Sequence, residues 1–247
     1  MSKIKQNRLY NDLAWLWPLV SDPAHYAKEA AFWRDALREK LGPGRHHILE
    51  LGVGGGNNLS HLTGDFKATA VDLSEGMLKH SRKLNPDVEH LIGDMRTVRL
   101  NRKFDAVIIH DAIAYMTTEA DLKATFATAA AHLKPGGVFI TAPDYIAENF
   151  DGPNISHNSS KSGNINFAYF EYDYDNNPDD TIYECLLIYI INEKGKVRVE
   201  QDHHVLGLFP KATWQRLIEE AGFSFEAKDY PVHEDKRQGY LFVGVLK

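Results

Sequence analysis

Residues 48–58 constrain the fold most strongly, because an apolar run there ends in a glycine-rich turn. The run begins Ile-Leu-Glu-Leu, and Gly52, Gly54 and Gly56 follow at alternate positions before a helical pattern resumes at Leu59. This order predicts a strand, a tight turn and a helix. Glycines in such a turn let backbone N–H groups approach a ligand closely, since side chains would fill the space that the ligand needs. We expect a ligand with a ribose or a phosphate at this turn.

Acidic residues also follow the next two predicted strands. Asp72 closes the apolar run 68–71, and a carboxylate there can accept hydrogen bonds from both hydroxyls of a ribose. Residues 88–92 precede Gly93 and Asp94. Because parallel strands end at the same edge of a sheet, these side chains are expected to lie close together.

Together these segments resemble the motifs of the class I S-adenosylmethionine-dependent methyltransferases. The first motif of that family is E-x-G-x-G-x-G, which begins here at Glu50. Residues 104–109 look like its fourth strand, and residues 133–140 look like a helix stop, a turn and the fifth strand. The matching segments cover most of residues 46–142.

The resemblance implies S-adenosylmethionine as cofactor and S-adenosylhomocysteine as product. In the family, the aspartate at the position of Asp94 accepts from the adenine amino group, and the next residue offers its backbone. Helices at the amino terminus tend to cover the cofactor and to offer a tyrosine hydroxyl to its carboxylate. The implied cofactor contacts are Tyr10, Tyr26, Glu50, Gly52, Gly54, Gly56, Asp72, Leu73, Met77, Asp94, Met95 and His110.

Alternating strand and helix patterns predict an α/β fold with a parallel sheet covered on both faces. The resemblance implies a Rossmann-like, doubly wound, seven-stranded sheet whose last strand is antiparallel, because too few residues separate the final two strands for a crossover helix. One domain is expected. Its parts are a helical cover (1–44), a cofactor-binding core (45–142), a β insertion that forms a substrate lobe (143–206), and a carboxyl-terminal helix with two strands (207–247).

Local signals predict where several helices begin. Asp22 and Pro23 are typical of a helix start, as N-cap and first helical residue. Ser74 and Thr118 are further N-cap candidates, and Pro210 precedes the last helix.

The insertion is expected to consist of one loop and three antiparallel strands. Residues 151–164 are rich in Gly, Ser and Asn and predict a mobile loop. Residues 167–172, 182–191 and 197–205 have the composition of strands.

One segment of the insertion imitates the ligand spacing of a calcium loop. Asp173, Asp175 and Asn177 alternate, and Glu184 follows eleven positions after Asp173. A calcium loop needs glycine at its sixth position, where this chain has Pro178, and the flanks predict strands. We therefore expect a charged hairpin turn and no metal.

Composition limits the partners. The net charge of −6 and the absence of a Lys/Arg run disfavour a nucleic-acid substrate. The sequence has no apolar stretch near the length of a membrane span and no apolar signal region, so a cytoplasmic location is expected. The one cysteine, Cys185, excludes an internal disulfide and is expected to be buried. The oligomeric state stays open, with a homodimer among the options.

Three further segments resemble the N,N-dimethyltransferases of amino-deoxysugar biosynthesis. These segments are residues 142–150, 205–209 and 239–245. The chain departs from some relatives in having Tyr115 where they have histidine, and Asp144 before a tyrosine where they have an aromatic pair. The resemblance implies that the methyl acceptor is an amine. The two departures leave open which sugar carries that amine.

Methyl transfer to an amine requires that the nitrogen lone pair lies in line with the bond from sulfur to the methyl group, that water is excluded, and that the nitrogen is neutral. The candidate catalytic residues are Tyr115, His110 and Asp111, which leave the carboxyl end of the predicted fourth strand. For His110, the strand pattern favours a plain buried histidine. The candidate acceptor contacts are Tyr115, Tyr145, Tyr169 and Arg237, the last as a partner for the pyrophosphate of a nucleotide sugar.

Three other functions also fit the pattern. A small-molecule O-methyltransferase would share every cofactor motif. A nicotinamide-dependent oxidoreductase would share the glycine loop and Asp72 but gives no reason for Gly93-Asp94. A protein that binds the cofactor without catalysis would keep all the glycines.

Overall fold

The computed structural model describes residues 5–231 and 238–247 and contains two β-sheets. The strands are β1 (His47–Leu51), β2 (Lys67–Asp72), β3 (Glu89–Ile92), β4 (Phe104–Ile109), β5 (Leu133–Thr141), β6 (Asn154–Ser162), β7 (Ile165–Tyr174), β8 (Ile182–Glu193), β9 (Lys196–Gly207), β10 (Glu226–Asp229) and β11 (Tyr240–Val245). The α-helices are α1 (Trp17–Val20), α2 (Ala27–Leu41), α3 (Asn57–Ser60), α4 (Glu75–Leu84), α5 (Glu119–His132) and α6 (Lys211–Glu220). Short 3-10 turns span Arg8–Tyr10, Ala14–Leu16, Pro23–Tyr26 and Asp111–Tyr115. Within the described ranges, no helix is long and apolar enough to cross a membrane.

The larger sheet has seven strands in the order β10-β11-β5-β4-β1-β2-β3. The strands from β5 to β3 pair in parallel, whereas β11 pairs antiparallel with both β5 and β10. The predicted α/β fold with a reversed last strand is therefore confirmed. Because β1 to β4 are parallel, their carboxyl ends meet at one edge of the sheet.

Helices bury an apolar layer on each face of this sheet. On one face, α2 contributes Trp33 and Leu37, whose side chains are completely buried. On the other face, Phe126 of α5 and Trp214 of α6 pack together. Each of these side chains contributes roughly 1.5–3 kcal/mol by its burial, so the two layers hold the sheet edge in place.

The predicted helix starts are confirmed. The Asp22 carboxylate accepts from the Ala24 N–H, and the Ser74 hydroxyl accepts from the Met77 N–H at the first turn of α4. Thr118 caps α5 by accepting from the Asp121 N–H at 3.1 Å. These caps satisfy N–H groups that have no partner inside their helices.

The smaller sheet is antiparallel and has the order β6-β7-β8-β9. Its inner face packs on the amino-terminal segment, where Leu9, Leu13 and Leu16 contact a cluster that includes Phe167 and Tyr189. The backbone N–H of Asn7 also donates to the His203 carbonyl of β9 at 3.1 Å. The amino-terminal segment is thereby fixed to the smaller sheet.

The prediction of a loop at residues 151–164 is wrong, because β6 occupies most of this stretch. All nine residues of β6 pair with β7, and the turn after it has Gly163 at φ 55°. The strand lies at the edge of its sheet and most of its side chains are exposed. Polar residues are therefore tolerated, and the composition of β6 resembles that of a loop. The predicted charged turn does follow β7, since residues 175–181 connect β7 to β8.

Candidate active site

A cavity of about 460 Å³ lies at the carboxyl edge of the larger sheet. Glu50 comes from β1, Asp72 from β2, Asp94 follows β3, and His110 and Asp111 follow β4. The amino-terminal segment closes the opposite side with Tyr10, Trp17 and Tyr26. The parallel topology explains why residues far apart in the sequence share this cavity.

The glycine loop after β1 forms the floor of the cavity. A β-carbon on Gly52 would lie 2.5 Å from the Ala112 β-carbon, and the φ of Gly52 is +76°. Gly54 has φ +55°, and its N–H donates to Asp72 Oδ2 at 2.8 Å. A β-carbon on Gly55 would collide with the indole of Trp17. This backbone therefore requires glycine both for its conformation and for close approach.

Several buried polar atoms of the cavity wall have no protein partner. They include one carboxylate oxygen of Glu50, both amide atoms of Asn58 and the indole nitrogen of Trp17. Burial raises the pKa of the Glu50 carboxyl to about 8. A buried group without a partner is costly, so this end of the cavity fits a ligand that brings both an ammonium group and a carboxylate.

Asp72 and Asp94 are held by different partners. Asp72 accepts from the Gly54 and Ser74 N–H groups, and its burial raises the pKa of the carboxyl in spite of these bonds. Asp94 forms an ion pair with Arg96 at 2.6 Å, which lowers its pKa, and Arg96 also reaches Asp121. Both carboxylates are thus oriented toward the cavity before a ligand binds.

His110 lies between two carboxylates. Its Nε2 is 2.9 Å from Glu29 of α2, and its Nδ1 is 3.2 Å from Asp111. Burial disfavours the charged ring, yet Asp111 and Glu29 together raise the pKa of His110 well above its ordinary value. Both ring nitrogens of His110 thus face carboxylate oxygens, an arrangement that favours the doubly protonated ring, which has no lone pair for another proton.

A second cavity of about 670 Å³ adjoins the first, beneath the smaller sheet. Tyr10, Trp17, Tyr26, Asp111 and Tyr115 line both cavities. The second cavity also contains aromatic rings and carboxylates, among them Asp144, Tyr145, Tyr169, Glu171, Asp173 and Tyr183. The two cavities thus meet at one shared wall.

Most of the residues singled out from the sequence line these cavities. In the first cavity they are Tyr10, Tyr26, Glu50, Gly52, Gly54, Asp72, Leu73, Asp94, Met95, His110, Asp111 and Tyr115. Tyr145 and Tyr169 line the second. Arg237 lies outside the described residues.

Gly56 and Met77 lie behind the glycine loop instead of lining a cavity. A β-carbon on Gly56 would meet Ser81 of α4, and Met77 is completely buried beneath Gly54. Their expected contact with the cofactor therefore stays a prediction. Both support the loop from below.

The sequence patterns gave no signal for four residues around the site. Trp17 and Asn58 line the first cavity, and His204 lines the second. Glu29 holds His110 from α2. Trp17 lies in an aromatic-rich segment and His204 in an apolar strand pattern, and neither pattern indicates contact with a ligand.

The comparisons with known proteins agree with this geometry. Residues 48–137 match a family described as a methyltransferase domain. The dTDP-3-amino-3,4,6-trideoxy-alpha-D-glucopyranose N,N-dimethyltransferase of Streptomyces venezuelae is 33% identical, over 89% of this chain and 91% of the relative. A dTDP-3-amino-3,6-dideoxy-alpha-D-glucopyranose N,N-dimethyltransferase of Streptomyces fradiae is 28% identical, over 87% and 85% of the two chains. The crystal structure of Streptomyces venezuelae DesVI superimposes with a TM-score of 0.79 at 31% identity, covering 90% of this chain and 92% of that one.

The fold and the cofactor cavity define an S-adenosylmethionine-dependent methyltransferase. The chain belongs to the class I family of these enzymes, with S-adenosylmethionine as cofactor and S-adenosylhomocysteine as product. The nicotinamide-dependent oxidoreductase considered from the sequence is thereby set aside.

Proposed function

We propose that the chain methylates the amino group of a nucleotide-linked amino sugar. The observation that carries this proposal is that the two cavities adjoin at the shared wall. A methyl group can therefore pass there from a cofactor in the first cavity to an acceptor in the second. The relatives described above act on amino sugars carried on dTDP, according to their names.

The second cavity suits a sugar. Rings of Tyr145, Tyr169 and Tyr183 offer flat apolar surfaces, and the carboxylates of Asp144 and Glu171 accept hydrogen bonds from hydroxyl or ammonium groups. Burial raises the pKa values of Tyr169 and Tyr183, so both stay neutral and can donate. We assign residues 143–206 to acceptor binding and residues 45–142 to the cofactor.

The cofactor, when bound, supplies a methyl group that is already electrophilic. The side chains proposed to hold it are Glu50, Asp72 and Asp94, together with Asn58 and Trp17. Their carboxyl groups favour a cationic ligand, and the aromatic residues of the shared wall reduce the access of water to the path of the methyl group. The protein then has to align the acceptor and deliver it without a proton on its nitrogen.

Incubation with methyl-labelled S-adenosylmethionine and the dTDP-linked 3-amino sugar of the Streptomyces venezuelae relative tests this function. We expect product with one and then two added methyl groups by mass spectrometry. The matched control replaces the amine by a hydroxyl, so that methylation of the control would indicate an O-methyltransferase. Binding of S-adenosylhomocysteine without any product would instead indicate a non-catalytic protein.

A pyrophosphate on the acceptor needs cationic partners. Lys236 and Arg237 are our candidates from the sequence, and both lie outside the described residues. Arg237 can form a bidentate contact with phosphate oxygens.

We further propose a homodimer in which a second copy covers the outer face of the smaller sheet. Ile155, Phe170 and Val199 are large apolar residues exposed on this face, with 71% exposure for Ile155. Such a patch indicates an interface, and a twofold contact uses the same patch on both copies. Light scattering of the wild type and of Phe170→Asp tests the homodimer. We expect a dimeric wild type and a monomeric variant, and a monomeric wild type contradicts the proposal.

We also propose a cytoplasmic location. The chain has one cysteine and so forms no internal disulfide, which is typical of proteins in a reducing compartment.

A further inference from the structure

Four side chains form a hydrogen-bonded line that begins in the shared wall and ends in the protein interior. The Tyr115 hydroxyl donates to the Tyr10 hydroxyl at 3.0 Å, and its oxygen lies 2.5 Å from His204 Nδ1. His204 Nε2 lies 2.8 Å from Asp202 Oδ2. Asp202 and His204 are almost completely buried, whereas Tyr10 and Tyr115 face both cavities.

Asp202 determines which ring nitrogen of His204 carries hydrogen. The carboxylate accepts from the backbone N–H groups of Arg8, Leu9 and His203. Burial opposes its charge, but the bond from His204 and these backbone bonds keep the pKa of Asp202 below its ordinary value. An ionised carboxylate can only accept, so Nε2 carries the hydrogen of the neutral ring and Nδ1 presents a lone pair to Tyr115.

Two other groups near the shared wall, His110 and Tyr115, differ from His204 in how a proton could reach them. Glu29 and Asp111 occupy both ring nitrogens of His110 and raise its pKa, so neither nitrogen offers a lone pair to the acceptor. Burial raises the pKa of Tyr115 well above its ordinary value, so its hydroxyl stays protonated and can pass a proton on without storing charge. His204 lies at the far side of that hydroxyl, with Nδ1 facing the Tyr115 oxygen.

Resting on the amine acceptor proposed above, we propose that His204, aligned by Asp202, removes the acceptor's proton through Tyr115. The ammonium N–H bond breaks, the nitrogen keeps the electron pair, and the proton forms a new bond to the Tyr115 oxygen. At the same time the original hydroxyl proton of Tyr115, which turns from Tyr10 toward His204 for this step, moves to His204 Nδ1. The products are a neutral amine, an intact Tyr115 and an imidazolium paired with Asp202.

This arrangement also accounts for two successive methylations. Each transfer leaves a charged ammonium, which must lose a proton before its nitrogen can attack again. After one proton has moved, His204 donates from Nδ1 to Tyr115, and the Tyr115 hydroxyl is turned to Tyr10 at 3.0 Å. Before the second methylation, while spent cofactor is exchanged, His204 returns this proton through Tyr115 to water in the open cavities and is ready to accept another. The same four side chains thus have one hydrogen-bond direction before the proton transfer and the opposite direction after it.

A purely structural role is the competing explanation. Asp202 fastens the amino-terminal segment to β9 through Arg8 and Leu9, so changing Asp202 would disturb the fold. The test therefore uses His204→Asn, whose amide oxygen can still accept from Tyr115 but cannot take a proton. The matched control is His203→Asn, because His203 is on the opposite face of the same strand, bonded to Glu184.

Steady-state rates across pH, with the dTDP-linked 3-amino sugar as probe, distinguish the two roles. The titratable groups that face His204 are Tyr10, Tyr115, Asp202 and, on the neighbouring strand, Cys185. We expect His204→Asn to lower kcat about 100-fold at neutral pH with KM nearly unchanged, and to recover at high pH, where the amine arrives neutral. His203→Asn should behave as the wild type does. A loss that is equal at every pH, or no loss, overturns the relay.

Nitrogen NMR of the histidine rings tests the relay without turnover. The signal lost in His204→Asn identifies His204, and we expect a neutral ring with hydrogen on Nε2 in the resting protein. Hydrogen on Nδ1 at neutral pH would overturn the relay. A wild-type enzyme that does not methylate the probe would reject the acceptor instead, and the NMR result would still decide the relay.

Discussion

The Asp72 carboxylate accepts the N–H of Gly54 at 2.8 Å and thereby joins the end of β2 to the glycine loop after β1. Its other oxygen accepts the Ser74 N–H at 2.7 Å, at the start of α4. One side chain thus fixes three segments around the cofactor cavity. The carboxylate is oriented by the backbone before any ribose arrives.

Replacing Asp72 should therefore weaken cofactor binding. If Asp72 accepts two ribose hydroxyls, Asp72→Ala removes charge-assisted hydrogen bonds worth roughly 1.5–3 kcal/mol each. Affinity for S-adenosylhomocysteine should fall ~100-fold or more, as measured by calorimetry. An unchanged dissociation constant would reject the assignment.

Gly54→Val should abolish cofactor binding while the protein stays folded. Valine resists the left-handed backbone of Gly54, at φ +55°, and its branched side chain would project near the cavity floor. Gly64→Val is the matched control, because a β-carbon at Gly64 meets nothing within 4 Å. Circular dichroism reports the fold and calorimetry the binding, and normal binding by Gly54→Val would mean that this loop does not hold the cofactor.

Glu50 should make the stability of the cofactor-free protein depend on pH. Its pKa is about 8 in the folded protein, against 4.5 as its ordinary value. The folded state therefore holds a proton that the unfolded state has already lost, and its stability falls as pH rises from about 4.5 to about 8. Glu50→Gln should raise the melting temperature at pH values near 8 and have little effect near pH 4.5. Equal shifts at both pH values would contradict this reasoning, and Glu193→Gln, an exposed site, is the control.

Arg237→Ala should raise the KM for a nucleotide-linked acceptor and leave kcat nearly unchanged. A pyrophosphate contact is far from the reacting nitrogen, so its loss weakens binding of substrate and transition state equally. Thymidine diphosphate alone should compete with the acceptor, and the competition should weaken with added salt. If no nucleotide competes and a free amine is turned over, the acceptor is a small amine and not a nucleotide sugar.

Thr118→Ala should cost stability without affecting catalysis. The Thr118 hydroxyl caps α5 by accepting from the Asp121 N–H, and losing such a cap costs about 1 kcal/mol. Denaturant unfolding should report that loss, with kcat and KM as in the wild type. A large fall in kcat would indicate that α5 shapes the active site.

The sequence by itself was enough to predict the strand, glycine loop and helix around Gly52, and the acidic residues at the ends of the next strands. It also predicted the caps at Asp22, Ser74 and Thr118. These features depend on residues a few positions apart, because turn conformation, capping and apolar periodicity are local properties of the chain. Because the strands are parallel, Asp72 and Asp94 then lie at the same edge of the sheet, and this placement follows from the predicted topology alone.

Only the tertiary structure determined which side chains meet across the site. The loop predicted at residues 151–164 became a strand because β7 supplies its backbone partners, and a partner is not encoded in the composition of the strand itself. Met77 lies under the glycine loop instead of lining the cavity. His204 and Tyr115 are 89 positions apart, and their contact depends on how β9 packs over the end of β4. Burial and hydrogen bonding of such a pair depend on how whole sheets pack together. Local sequence patterns do not predict that packing.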